Sequence, residues 1–517
     1  MQALRECYAA PLEKNLADMQ NGTLLAAVDL GSNSFRLEIG RYDHRRIHRT
    51  EYLKETVRQG NGLDVDRNLT LDAMQRGWDC LARFGERLAG FEKSQVRAVA
   101  TQTLREARNR DEFLARANKI LGFSIEVISG REEARLIYQG VSHVLPQSNE
   151  RRLVVDIGGR STEMVLGTGL EATTMESYRV GSVAWSMRYF PEGQFSLRAF
   201  EIAEIAAKAV LDEAVNSYRV GNWDVAYGSS GTIGAVSDVL AAAGWPAGMV
   251  TQEGLNWLVD RLIKAQSADR VKLDGMKDDR RAVIGGGVSV LRAVFALLGI
   301  EKMEAAQGAL RHGVLYDLLD REKELTDLRS TTVLRLAARF GADEVQAQRV
   351  SKVSRQLFLM ASKGQPAMEP ERFQRKLSWA AQLHEIGSQI SHSDYHKHGA
   401  YILHNADAPG FTLPELHRLG LLVLGHRGKL RKLEVDFEDR VFVQQLMCLR
   451  MAVILCHARR DPDLKGLQLE SGAEPGKIVV LNCRAGWAQA FPQSAYLLRE
   501  EVLAWQKTPW TLIISCS

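Results

Sequence analysis

The stretch VDLGSNSFRLEIG at residues 28–40 returns 127 positions later as VDIGGRSTEMVLG at residues 155–167. Each copy has a hydrophobic run, an Asp, a Gly-containing polar turn with a Ser, a second hydrophobic run and a closing Gly. One such hairpin is common, but two in matching register predict two related half-domains that face each other. A tight turn of this kind exposes successive backbone N–H groups, and Gly lets the chain approach an anion closely. Gly31, Ser32, Asn33 and Ser34 make the first turn; Gly158, Gly159, Ser161 and Thr162 make the second. Asp29 and Asp156 stand where each first strand ends, suited to hold a hydrated divalent metal or orient a water. Across a cleft, the two turns would grip neighbouring phosphates from opposite sides.

The rest of residues 23–325 repeats this α/β pattern. Leu71, Met74, Trp78, Leu81, Phe84 and Leu88 step by three and four, which predicts a helix. QVRAVAT and FSIEVIS read as strands separated by the helical DEFLARANKIL. DVAYGSSGTIGAV supplies a third Gly/Ser turn, comprising Gly228, Ser229, Ser230, Gly231 and Thr232, and RAVIGGGVSVLRAV reads as another of the same kind. Turns between strand and helix are where α/β domains hold ligands. From about residue 326 helical patterns dominate to 460, and KIVVLNC and WTLIIS then read as strands around a helical AYLLREEVLAWQK.

A chain of 517 residues is too long for one core, and 45% hydrophobic with 25% charged residues is ordinary globular composition. Its six cysteines form no CxxC pair, which predicts a reducing compartment rather than a disulfide framework. Charges in MQALRECYAAPLEKN argue against a signal peptide, and no apolar run reaches the roughly 20 residues of a membrane span. The expectation is a cytoplasmic protein with no membrane span and no nucleic-acid partner. Residues 326–517 carry 25 Lys/Arg against 19 Asp/Glu, a balance of +6 that suits a polyanionic ligand or simple solubility.

In ISGREEARLIYQGV, Ser129 and Glu132 have capping-box spacing, which gives Glu132 a structural task at a helix start. Glu133 is free of that task. In the first turn it could serve as a base toward water, although acidic residues favour such positions in any helix. Arg105, Arg280 and Arg311 are candidate phosphate clamps, because guanidinium matches phosphate oxygens with paired hydrogen bonds.

AAVDLGSNSFR, TQTLREA, ISGREEARLIY, VVDIGGRSTEMV, GSSGTIGAV and GALRHGVLY, in this order, resemble the exopolyphosphatase/guanosine pentaphosphate phosphohydrolase (Ppx/GppA) family. The resemblance implies two actin-like, ribonuclease H-like half-domains, an HD-like all-helical domain and a small α+β module. The corresponding boundaries are a tail at 1–22, half-domains at 23–149 and 150–325, the helical domain at 326–464 and the module at 465–517. It implies a Mg²⁺-dependent phosphoanhydride hydrolase and a homodimer. Glu133 matches the catalytic glutamate, Asp156 and Glu163 an acidic pair near metal and water, and Ser32, Asn33, Ser161, Thr162 and 228–232 the phosphate loops. Arg105 and Arg280 match substrate contacts, and Arg311 does so less closely. One departure stands out: the expected second turn is DIGGGST, and Arg160 occupies its third Gly position. A left-handed backbone there would cost Arg more than Gly.

Eight of the twelve histidines fall between 384 and 457. His384-Glu385 and His426 resemble an HD-type metal site, read here as a scaffold that has lost its metal. Lys397, Arg427, Lys429, Arg431 and Lys432 could form a track for a long polyanion or simply a solvated basic face. The function expected on these grounds is release of orthophosphate from inorganic polyphosphate. The alternative is 5′-phosphate hydrolysis of guanosine pentaphosphate, followed by an ATP-dependent phosphotransferase and a non-catalytic sensor.

Overall fold

Leu24–Leu30 (β1) and Arg151–Ile157 (β6) are near-continuous apolar runs, and in each the six residues after the first are buried. Strands of that composition must be covered on both faces, which makes them the centres of sheets. The computed structural model describes residues 21–43, 46–146, 148–321, 327–363, 370–406, 408–471 and 477–515. Residues 1–20 of the expected tail, Cys7 and Cys516 lie outside them.

Two compact units are present, residues 1–327 and 328–517. The first unit holds two mixed sheets. In one, β1 pairs antiparallel with Phe35–Asp43 (β2), which pairs with Arg46–Glu55 (β3); Val96–Ala100 (β4) and Ile125–Val127 (β5) follow in parallel, giving the order β3-β2-β1-β4-β5. The other consists of β6, Thr162–Thr168 (β7), Glu171–Tyr178 (β8), Val225–Ser229 (β9), Met249–Thr251 (β10) and Lys302–Ala305 (β11). Its order, β10-β11-β9-β6-β7-β8, repeats the first topology, with β8-β7-β6-β9-β11 standing for β3-β2-β1-β4-β5. The duplicated motif is therefore a duplicated sheet.

Helices Gly130–Val144 and Leu310–Arg321 share one buried cluster with residues of both sheets, among them Leu25, Val99, Val154 and Val165. They hold the two halves of the unit together. β3 leaves little hydrophobic signal because it is an edge strand whose residues are all exposed or half-buried.

The RAVIGGGVSVLRAV turn is not formed. Gly285, Gly286 and Gly287 lie inside the helix Ile284–Leu298, where they admit close neighbours: a Cβ on Gly286 would come within 2.5 Å of Ser182 O. Glycines that serve helix packing and glycines that make turns leave the same sequence mark.

In the second unit, the six longer helices Leu328–Arg339, Glu344–Ala361, Pro370–Leu383, Tyr395–Asn405, Leu413–Gly425 and Arg440–Leu455 precede a three-stranded sheet. Leu467–Ser471 (β12), Ile478–Cys483 (β13) and Thr511–Ser515 (β14) form it, with helix Pro492–Trp505 between the last two strands. One core runs through helices and sheet, from Leu357 and Leu446 to Leu481, Trp505 and Leu512. Cys80, Cys448 and Cys456 are free and buried. No helix among the described residues is long and apolar enough to cross a membrane.

Candidate active site

The two repeated turns meet. A Cβ on Gly159 would sit 3.0 Å from the Ser32 Cβ and 3.6 Å from the Asn33 N, so the second turn packs tightly against the first with little room for a side chain. Between them opens a cleft of about 380 Å³. Asp29, Gly31, Ser32, Asn33 and Ser34 line one side, and Asp156, Gly158, Gly159 and Ser161 the other. Ser230, Gly231 and Thr232, from the third turn, close one end, where Ser230 adopts φ 95°. A non-glycine residue at such an angle is strained by about 1–3 kcal/mol, a cost that tends to be kept at ligand sites. Arg280 and Arg311 also line the cleft. Gly231 yields to Arg280, whose guanidinium would lie 2.1 Å from a Cβ there.

Other expected residues stand behind the lining. Thr162 Oγ1 donates to Val180 O at 2.6 Å, and Ser229 Oγ to Gly308 O at 3.0 Å, so both hydroxyls brace the turns from within. Gly228 lies within β9. Arg105 donates from NH1 to Glu133 Oε2 at 2.8 Å and to Ile128 O at 3.0 Å. Arg311, by contrast a lining residue, is tied to Glu38 and stacks over Tyr52.

Glu133 lies in the first turn of Gly130–Val144 and lines the cleft. Ser129 caps that helix by accepting from Glu132 N at 3.1 Å, while the Glu132 carboxylate pairs with Arg135 at 2.8 Å. Burial, opposed by Arg105 and reinforced by Asp29 and Asp156, pushes Glu133 up to about 7. Burial likewise raises Asp156 to about 6, and Glu163 well above its ordinary value, the latter helped by Glu133 and Asp156. A carboxylate that titrates near neutrality is suited to general-base work.

Hairpin register separates the two halves chemically. Asp29 is paired with Arg36 across β1 and β2, and the two form an ion pair at 3.0 Å. The corresponding position opposite Asp156 holds Glu163. One half presents a neutralised pair, the other two carboxylates on one face. Glu163 Oε1 accepts from Ser177 Oγ at 2.7 Å, while its Oε2 is buried and has no hydrogen-bond partner. No group of three or more His, Cys, Asp or Glu among the described residues is arranged to hold a metal by itself. Mg²⁺ does not require one, because it keeps several waters and binds through one or two carboxylates plus substrate phosphates. Asp156 and Glu163 fit that need.

Arg36, Tyr52, Lys54 and Lys277 also line the cleft, and none was among the expected site residues. Arg36 was legible as the cross-strand partner of Asp29 in a hairpin with a four-residue turn. Lys54 was not, since it lies on the edge strand β3; it pairs with Asp279 at 2.5 Å.

In the second unit His384 and His426 meet edge to face at 5.4 Å, each with Nδ1 at 2.6 Å from a carbonyl oxygen of its own helical turn. Burial holds both imidazoles below their usual range. Lys397 pairs with Asp394, Arg427 stacks over Tyr395, and Lys429, Arg431 and Lys432 are exposed.

The carboxylate cluster has a consequence for stability. An acid raised by folding binds its proton more tightly in the native state, so its contribution to stability is lost as pH climbs from the unfolded to the folded value. For Asp156 that window runs from 3.8 to about 6. In chelator, Asp156→Asn is expected to be more stable than wild type by about 2–3 kcal/mol at pH 8. The gain should vanish near pH 4. Urea unfolding at the two pH values checks this, and an Asn variant no more stable at pH 8 would show that burial does not strain the carboxylate.

The model of the Ppx/GppA phosphatase family matches residues 39–322, and that of Ppx/GppA phosphatase, domain III, matches 328–502. A guanosine-5′-triphosphate,3′-diphosphate pyrophosphatase of Vibrio parahaemolyticus is 37% identical over 494 residues, 95% of this chain and 98% of that protein. Among solved structures, an exopolyphosphatase-like protein is 26% identical with a TM-score of 0.52, covering 58% of this chain and 98% of its own. An exopolyphosphatase from Cytophaga hutchinsonii is 25% identical, with the same TM-score and the same coverage.

Proposed function

Because the chain belongs to the Ppx/GppA phosphatase family and is a phosphoanhydride hydrolase, we propose that its substrate is guanosine pentaphosphate, from which it removes the 5′-terminal phosphate. The observation that carries this choice is the 37% identity to a guanosine-5′-triphosphate,3′-diphosphate pyrophosphatase along 95% of this chain. It reverses the order expected from the basic C-terminal half, where polyphosphate came first. Exopolyphosphatase remains the second reading, favoured by two exopolyphosphatase-type neighbours at 26% and 25% identity that match 58% of the chain.

In this reading the terminal phosphoryl group lies between the Ser32–Asn33–Ser34 and Gly159–Arg160–Ser161 turns, where backbone N–H groups and hydroxyls receive its oxygens. Arg280 and Lys54 offset its charge. Glu133 takes a proton from water, whose oxygen forms a bond to the terminal phosphorus as the bridging P–O bond breaks, so the pair of electrons leaves with the shortened chain. Asp156 and Glu163 hold Mg²⁺, which when bound supplies charge neutralisation at the phosphates. The fold we infer for the first unit is a pair of actin-like half-domains, and for the helices of the second an HD-like scaffold whose His384 and His426 pack without metal. Homodimerisation and a cytoplasmic location belong to the same reading.

Phosphate release with Mg²⁺ from guanosine pentaphosphate, long-chain polyphosphate and ATP tests it. The pentaphosphate is expected to have the highest kcat/KM by at least about tenfold, or roughly 1.4 kcal/mol of discrimination. Faster polyphosphate turnover would promote the second reading, and turnover of none would remove both.

A further inference from the structure

Resting on the reading of the cleft as a phosphohydrolase site, we propose that Arg160 is a positioning residue for Glu133. It acts across the cleft through Glu106, Gln102 and Arg105. Arg160 stands at the position where a third glycine is expected in the second turn, and it is not among the residues of positive φ, so the backbone accepts it without strain. Its side chain reaches out of the turn between β6 and β7 to the opposite half of the unit. There Nε and NH2 donate to Glu106 Oε2 at 3.1 and 2.8 Å, and NH1 to Gly60 O at 3.2 Å. Both charged side chains are largely shielded, at 21% and 16% exposure, which keeps the pair from being screened as a surface one would be.

Beyond Glu106 the connection has a direction. The other oxygen, Glu106 Oε1, accepts from Gln102 Nε2 at 2.6 Å. An amide donates only from its nitrogen and accepts only at its oxygen, so holding Nε2 on Glu106 turns Oε1 the other way. Gln102 Oε1 there accepts from Arg105 Nε and NH2 at 2.9 and 2.7 Å. Thus anchored, Arg105 directs NH1 to Glu133 Oε2 at 2.8 Å. Glu106, Gln102 and Arg105 belong to one short helix, Gln102–Glu106, so the array is compact. If Glu106 lost its cation, its carboxylate would be free to turn, and the Gln102 amide oxygen on which two Arg105 hydrogen bonds converge would be held less firmly. A glycine at 160 could contribute none of this, and the second turn would touch the first half only through backbone.

The test is steady-state kinetics of the full chain with Mg²⁺ and guanosine pentaphosphate, normalised to folded protein. Arg160→Ala and Arg160→Gly are expected to lower kcat about tenfold, the order of loss that follows small displacements of a reacting group, with KM within about twofold. Arg160→Lys, which keeps the charge but not the guanidinium fork, should recover part of the loss and lie between wild type and Arg160→Ala. Glu106→Ala should match Arg160→Ala, and the double variant should be no worse than either single one, because the two act as one link. A purely structural role would instead lower thermal stability and leave kcat per folded molecule unchanged. Wild-type kcat in Arg160→Ala, or single losses that multiply in the double variant, would overturn the proposal. Glu133→Ala run alongside separates the two levels: if it is inactive while Arg160→Ala is unimpaired, only the positioning role fails. Wild-type protein inactive on every phosphoanhydride would remove the phosphohydrolase reading and this inference together.

Discussion

Replacing Glu133 with Gln lowers kcat by about 10²–10⁴-fold, the range expected when a general base is removed. The amide keeps the size of the carboxylate and can still accept from Arg105 NH1, which lies 2.8 Å from Glu133 Oε2. Its loss is therefore chemical rather than a loss of packing. KM should change little, since the base acts on water and phosphate binding falls to the turns and Arg280. The pH–rate profile of the wild type should show an acid limb near neutrality, because Glu133 is raised to about 7 by burial and must be ionised to accept a proton. Below that value the rate falls about tenfold per pH unit, and the limb belongs to the coupled cluster of Glu133, Asp156 and Glu163 rather than to one group. Glu133→Gln is expected to change the limb, leaving only what Asp156 and Glu163 contribute to it. A variant that keeps a tenth of wild-type kcat would assign the base elsewhere, with Glu163 the next group to change.

Gly313→Ala should destabilise the first unit by about 3 kcal/mol, at the top of the usual range for overpacking. A Cβ at this position would lie 1.8 Å from Leu136 O and 2.6 Å from Leu136 C, backbone atoms that cannot step aside as a flexible side chain could. The reciprocal contact is as tight, since a Cβ on Gly140 would meet Ala309 O at 2.2 Å. Helices Gly130–Val144 and Leu310–Arg321 cross on these glycines, and separating them moves the turn that carries Glu133. The gain from replacing Gly inside a helix, about 1 kcal/mol, is too small to compensate. Urea unfolding monitored by Trp fluorescence and circular dichroism measures the loss. Unchanged stability would mean that the crossing can relax, and kcat would then also be unchanged.

The site was legible to the extent that it is local. VDLGSNSF and VDIGGRST mark their turns by composition, and Ser129 marks the start of the helix that carries Glu133. Register within a hairpin follows from its turn, so Asp29 opposite Arg36 and Asp156 opposite Glu163 were there to be read as well. The IGGG segment could not be resolved in this way, because a glycine that admits Ser182 and Thr232 to a helix resembles one that bends a loop. Thr162 and Ser229 were expected at the phosphates for their hydroxyls, yet both hydroxyls are satisfied by carbonyls within the fold. Lys54 was hidden on an edge strand whose polar residues give no periodic signal.

The duplication, the α/β character of residues 23–325 and the kinds of chemistry available in the turns were determined by the sequence alone, because each depends on neighbours along the chain. Tertiary structure decided the rest. Gly159 against Ser32, Arg280 over Gly231, and the line from Arg160 to Glu133 join residues far apart in sequence, and burial among them is what raises the carboxylates. Desolvation and long-range hydrogen bonds are properties of an enclosed space, and no stretch of sequence encloses one until the two sheets have come together.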